Sequence, residues 1–297
     1  MAQASNNVYQ IVTDRIIEKM EQGIIPWNQP WSAAKGDGAT QAINYVTRRE
    51  YSLINQLLLG EAGEYVTFKQ AKELGGSIRK GAKSRMVVFY TKYQYTEKDE
   101  ETGEEELKTI PVLKYYNVFH LRDTEGISSK IGTAEGEVKP AELDTTAEEV
   151  INGYLSRETA LRFYNDKPSN RAYYSPSEDA VVVPMPTQYA NISEYYSTTF
   201  HELVHSTKAK SRLDRGNDIK AVAFGSESYS REELVAEMGS AMLCSATGVE
   251  NEGTFKNSVA YLQNWIKALK SDNRMIVWAA SRAERAAKYI MGIKEEE

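Results

Sequence analysis

The sequence holds a single cysteine, Cys244, in 297 residues. One thiol excludes an internal disulfide framework and fits a reducing compartment such as a cytoplasm. Histidine is nearly as scarce: there are 3, and two of them fall in one five-residue string. No run of 18 apolar residues occurs, so no membrane span and no membrane partner are expected. The opening MAQASNNVYQ has neither a basic stretch nor an apolar one, so no signal peptide is read there. Cations are in deficit, 36 Lys and Arg against 42 Asp and Glu, for a net charge of -6. That excludes a uniformly basic nucleic-acid binder but not a local basic patch. With 41% hydrophobic and 26% charged residues the chain is ordinary globular material, not wholesale disorder. Its length suits about two domains, each able to bury a core unaided. Tyrosine is abundant, at 19, and each buried hydroxyl wants a partner.

Periodicity predicts a helix over 7–23, with Val8, Ile11, Val12, Ile16, Ile17 and Met20 at helical spacing, Asn6 or Asn7 as N-cap and Gly23 as stop. Helices are also expected at 51–59 and at 66–74, the latter capped by Thr67. The β-branched and aromatic runs at 85–95 and 110–121 read as strands. Between them, Glu97 to Glu106 carries 7 acids and one base, a solvated tip. Small polar residues over 131–147 mark a linker. A helix near 147–157, a hairpin through NRAYYSPSEDAVVVPMP and helices at 194–208, 230–247, 254–271 and 274–292 follow. Pro184 marks AVVVPMP as an edge strand, which either aligns an extended peptide or is simply blunted against aggregation. The fold class is α+β, with domains at 1–130 and 148–297, the second mostly helical with a small sheet.

The chemistry concentrates in FHELVH. His201 and His205, four apart, rise about 6 Å along a helix and share a face, so both rings can reach one ion. Glu202, beside the first ring, is placed as general base; an ion can lower the pKa of bound water from about 15.7 to about 7. A hydrolytic zinc site needs a third protein ligand and an open position. The stretch SREELVAEMGSAML offers Glu233 as ligand and Glu237, a turn on, to orient a ring, with Glu232 facing elsewhere. One Zn²⁺ per chain, or another divalent metal, is expected. The competing readings are two ordinary helix histidines beside a solvated acidic face, or a metal kept for structure alone.

From Lys69 to Lys92 there are 7 bases and one acid, interleaved with Phe68, Phe89, Tyr90 and Tyr93. Arg48 and Arg49 lie beside Tyr45 and Tyr51. Cations that follow phosphates and rings that stack on bases bind single strands. Arg48, Arg49, Tyr51, Lys69, Arg79, Lys80, Lys83 and Arg85 are therefore the DNA-binding candidates. A solvated basic face is the alternative. Trp27 and Trp31 read as a packing anchor ahead of a stacking platform. Asn44 and Asn55 are expected to fix turn geometry.

Several stretches resemble the ArdC-type antirestriction proteins of conjugative plasmids, whose N-terminal domain is shared with TraC-type plasmid primases. They are VYQIVTDRIIEKMEQGIIPWNQPW, INYVTRREYSLIN, VTFKQAKELGGSIRKGAKSRMVVFY and YYNVFHL, then FHELVHSTKAKSRLDR, REELVAEMGSAML and YLQNWIKALKSDNRMIVWAASRAERAAKYI. The resemblance implies an N-terminal single-stranded-DNA-binding domain, a C-terminal zincin-like metallopeptidase domain, and protection of incoming plasmid DNA from restriction during conjugation. Similarity to the gluzincin pattern also makes Glu233 the third ligand. His120 stands where the family pattern has Asn. No primase catalytic segment follows before Glu297, so priming is not expected. Two functions are carried forward. One is a zinc hydrolase that cleaves a DNA-associated protein. The other is a non-catalytic single-strand-binding protein whose metal domain is structural or docks a partner.

Overall fold

The computed structural model describes residues 2–28, 41–98, 105–131, 146–215, 227–249 and 259–294. Helix α1 (Ala2–Glu21) forms because Val8, Val12, Ile16 and Met20 recur every four residues, and all four are buried. Gly23 ends the turn with φ +82°, a backbone that favours glycine. Trp27 follows, fully buried and edge-on to Trp265 at 6.2 Å, so it is a packing anchor. Trp31 lies outside the described residues.

Strand β1 (Ala42–Asn44), helix α2 (Leu53–Leu59), strand β2 (Gly63–Val66), helix α3 (Phe68–Glu73) and strand β3 (Ser77–Ile78) come next. Thr67 caps α3, as the sequence predicts, and Gln70 returns the bond to complete a capping box. Strands β4 (Arg85–Lys98) and β5 (Glu105–His120) form a long hairpin, paired from Arg85 with Val118 to Lys98 with Glu105. The centre of the acidic tip, 99–104, lies outside the described residues. The first sheet has the order β1-β2-β5-β4, with β1 parallel to β2 and the other pairs antiparallel. Strand β6 (Thr124–Glu125) pairs with β3. Both edges of the four-stranded sheet are met by α2. The Asn55 amide accepts from Val88 N at 2.7 Å and donates to Val88 O at 2.8 Å. Gln56 does the same to Ala42, at 2.9 Å in both directions. Asn44 accepts from Val46 N and Thr47 N, fixing its turn.

Residues 132–145 of the expected linker are outside the described residues. Helix α4 (Ala147–Arg157) opens on a capping box between Thr146 and Glu149. Strands β7 (Arg162–Tyr164), β8 (Tyr173–Ser175) and β9 (Ala180–Val182) form a sheet of order β7-β9-β8. Here the sequence reading is corrected: β9 is central, parallel to β7 and antiparallel to β8. Pro184 falls past the last ladder residue, so its missing N–H costs the sheet nothing. The edges are β7 and β8, and β9 has no side left for a peptide.

Helices α5 (Ile192–Ser206), α6 (Glu227–Ala246), α7 (Val259–Ser271) and α8 (Met275–Met291) complete the chain. α6 packs on α5 and α8. At Gly239 a Cβ would come within 2.8 Å of the Val204 side chain, so α5 and α6 approach more closely than an alanine there would allow. One buried apolar cluster runs from Val8 of α1 through Met86, Val88 and Leu113 of the hairpin to Ile290 of α8. The architecture is α+β, as expected. Among the described residues no helix is long and apolar enough to cross a membrane.

Candidate metal centre

Asn191 caps α5 by accepting from Glu194 N at 2.9 Å. Phe200, Leu203 and Val204 are fully buried and set the helix's rotation against α6. That rotation turns His201 and His205 toward the same helix. Their Nε2 atoms stand 3.1 Å apart. Glu233, on α6, places Oε1 at 3.3 Å from His205 Nε2 and Oε2 at 3.5 Å from His201 Nε2. One ligand atom from each of the three residues lies within 4.8 Å of the others. Two nitrogens on a tetrahedral zinc at about 2.05 Å stand about 3.3 Å apart. The two ring nitrogens sit near that value and each faces one oxygen of the same carboxylate, so the donor set fits a divalent cation.

The carboxylate that touches the other ring nitrogen is Glu232, whose Oε1 lies 3.4 Å from His205 Nδ1. This overturns the expectation that Glu232 faces elsewhere. Helix rotation puts adjacent residues 232 and 233 about 100° apart, and both reach His205, one on each nitrogen. Glu232 is fixed in turn by Arg215, which donates to its two oxygens at 3.0 and 2.8 Å. The second Arg215 nitrogen donates to Val204 O and to Thr207 Oγ1 of the α5 C-terminal turn, at 2.8 and 2.7 Å. A histidine that donates through Nδ1 keeps the Nε2 lone pair for a metal. Glu237, expected to orient a ring, sits beside Tyr261 and influences His201 through charge. Burial pushes its carboxyl up to about 7. Glu202 is buried on α5 next to His201. Cys244 is buried on α6, and burial pushes its thiol up to about 11, far from a thiolate ligand.

Without a metal, burial works against protonation of His205, but the carboxylates of Glu232 and Glu233 outweigh it and raise the ring to about 9. Burial would raise Glu233, but hydrogen bonds from His201 and His205 hold it well below the usual carboxylate range. At pH 7 a cation must therefore displace the ring proton. Metal affinity is expected to rise with pH up to about 9, by about tenfold per unit for one displaced proton, and to flatten above it. Calorimetric metal titrations in buffers of different ionisation enthalpy should show about one proton released at pH 7. Zero release would mean that His205 is already neutral.

The basic residues of the first half divide. Arg48 is paired with the buried Glu64. Arg85 binds Glu61 at 2.7 Å, Leu59 O at 3.0 Å and Tyr65 Oη at 2.8 Å. Both guanidinium groups thus serve the fold. Lys69, Arg79, Lys80, Lys83 and Arg49 are exposed. Lys69 lies 3.6 Å from Glu73, and Arg79 Nε donates to Thr124 O at 3.1 Å. Tyr51 is buried, with the Asn44 amide 3.4 Å from its hydroxyl. His120 is also structural. It is 3% exposed, held neutral by burial and edge-on to Tyr65 at 5.0 Å. Its ring fills the space beside Gly63, where a Cβ would come within 2.2 Å of it. Arg215 was missed from the sequence. The one signal for it is the general need of a ligand histidine for an anchored acceptor behind it.

Comparison with known proteins gives the family. Residues 6–119 match the family model for the N-terminal domain of anti-restriction factor ArdC, and residues 154–282 match that for a zincin-like metallopeptidase. The DNA primase TraC of Escherichia coli is 29% identical over 314 residues, covering 100% of this chain and 28% of the primase. The chain thus spans little more than a quarter of that relative. Uncharacterized protein y4eC of Sinorhizobium fredii (strain NBRC 101917 / NGR234) is 30% identical over 301 residues, covering 97% of this chain and 92% of that one. The crystal structure of antirestriction protein ArdC from plasmid R388 is similar in its metal-free form, with TM-score 0.68 at 34% identity. Its Mn(II)-bound form gives 0.69 at 33%. In both cases 96% of this chain and 97% of that chain are covered. The chain belongs to the ArdC antirestriction protein family and carries its zincin-like metallopeptidase domain in the second half.

Proposed function

We propose that this protein binds single-stranded DNA through its first half and hydrolyses a protein associated with that DNA at the centre formed by His201, His205 and Glu233. It acts in the cytoplasm of the bacterium that receives the plasmid and protects the entering strand from restriction. The observation that carries the reading is the near-equal spacing of two imidazole nitrogens and a carboxylate, 3.1, 3.3 and 3.5 Å, beside a buried glutamate.

His201, His205 and Glu233 would hold one Zn²⁺ or another divalent cation, and the Mn(II) form of the R388 protein supports a divalent ion of this kind. When bound, such an ion polarises a peptide carbonyl as a Lewis acid. The chain's own residues do the rest. Glu202 takes a proton from the attacking water and passes it to the departing amine, so that water adds across the C–N bond. Glu232 and Arg215 keep His205 in the tautomer that presents Nε2. The exposed cations Arg49, Lys69, Arg79, Lys80 and Lys83 hold strand phosphates.

The test uses the full chain with a protein bound to a single-stranded oligonucleotide. Cleavage is expected from the zinc-loaded protein, none after chelation, and recovery on adding metal back. Strand affinity is expected to fall with salt, with a log–log slope of about −0.7 per phosphate contacted. Metal-loaded protein that binds the strand and leaves every bound protein intact would overturn the hydrolase and favour the non-catalytic reading, in which the metal domain is structural or docks a partner. A flat salt response would remove the basic residues from the DNA site.

A further inference from the structure

A cleft of about 600 Å³ opens where the first sheet meets α8. That volume is within the range of small-ligand sites. The hairpin register explains its aromatic lining. Phe89 pairs with Lys114 and Val87 with Tyr116, so Phe89 and Tyr116 project from the same face of the hairpin. Their rings touch at 5.5 Å between centroids, inclined by 61°. Phe89 remains 41% exposed and Tyr116 is half-buried. Apolar rings left facing water in a concavity mark a surface that gains by being covered.

The charges say what covers it. Glu50 and Glu284 line the wall, and Arg49, exposed, is the cation among the lining residues. Glu284 is pinned, accepting from Leu53 N at 2.9 Å and from Lys288 at 2.7 Å. With Glu284 ion-paired to Lys288, Glu50 is the carboxylate that disfavours a phosphate in the interior. A carboxylate suits the amino-bearing edge of a nucleobase, and the amide nitrogen of Gln70 on the same lining adds a donor. Lys69, next to Gln70 on α3, faces solvent beside this lining.

We propose that the cleft takes one unstacked base of single-stranded DNA, its ring against Phe89 and Tyr116 and its phosphate at Arg49. The inference rests on the DNA-binding half of the function proposed above and adds a base-reading site to it. Stacking on an aromatic side chain makes the base worth about 5- to 150-fold in affinity.

Fluorescence anisotropy with a roughly 12-nucleotide oligodeoxycytidylate, whose bases carry an exocyclic amino group, and with an abasic strand of equal length tests it. The intact protein is expected to prefer the base-bearing strand by about 5- to 150-fold. Phe89→Ala is expected to bind both strands alike, with the salt slope unchanged, and Phe89→Trp to restore the preference. Equal binding of both strands by the intact protein, with a normal salt slope, overturns the cleft and leaves strand binding standing. A full preference retained in folded Phe89→Ala overturns it as well. Failure of the intact protein to bind either strand overturns both readings. The intact-protein comparison needs no variant, so it decides even where Phe89→Ala does not fold.

Discussion

Glu202→Gln is expected to lower peptide hydrolysis by about 10²–10⁴-fold, the usual contribution of a positioned general base. The substitution keeps size and shape and removes the proton acceptor. Glu202 is 8% exposed on α5, so an isosteric replacement is needed to leave the packing against α6 undisturbed. It is not one of the three residues that converge, so metal content is expected to stay at one ion per chain. The informative pair of measurements is kcat/KM on a cleavable protein and elemental analysis of the same preparation. Unchanged turnover with full metal would sink the general-base role. Lost metal would make Glu202 a ligand.

Glu232→Ala should be the most damaging single change to the scaffold of the centre. It strands Arg215, 4% exposed, whose partner in the buried ion pair is Glu232. Removing one member of a buried pair costs about 3–5 kcal/mol, because the remaining charge stays desolvated. It also frees His205 Nδ1, and losing such an acceptor weakens metal binding by about 10–100-fold. The two effects separate in the double variant Glu232→Ala/Arg215→Leu. Stability should largely return, since an apolar pair in place of a buried ion pair is often neutral. Metal affinity should remain low. Urea unfolding of the metal-free proteins and a zinc titration read the two effects. Wild-type stability in the single variant would show that the Arg215–Glu232 pair is dispensable.

Local signals in the sequence carried most of the fold. Thr67 marks a helix start that the structure caps in both directions, with Gln70 as the partner. The four-residue step from His201 to His205 already fixes a shared helical face. What escaped was set by partners distant in sequence. The surplus of bases from Lys69 to Lys92 reads as a free patch, yet Arg85 is held by Glu61, which lies outside that window. Arg48 is likewise held by Glu64, 16 residues away. The rotation of α6 about its own axis decides which of Glu232, Glu233 and Glu237 meets a ring. Contacts such as that of Gly239 with Val204 set that rotation, and the acidic spacing does not reveal it. Pro184 misled for a simpler reason: it marks where β9 stops, and says nothing of how many neighbours the strand has before that point.

The two side-chain amides of α2 have a consequence for behaviour at high concentration. Exposed sheet margins invite identical chains to add on as extra strands, the first step toward polymers. Asn55 and Gln56 occupy the outward-pointing backbone groups of Val88 and Ala42 at the two margins. An incoming copy finds those two positions already satisfied by one short helix, so the same seven-residue segment that braces the sheet also removes one pairing point from each margin.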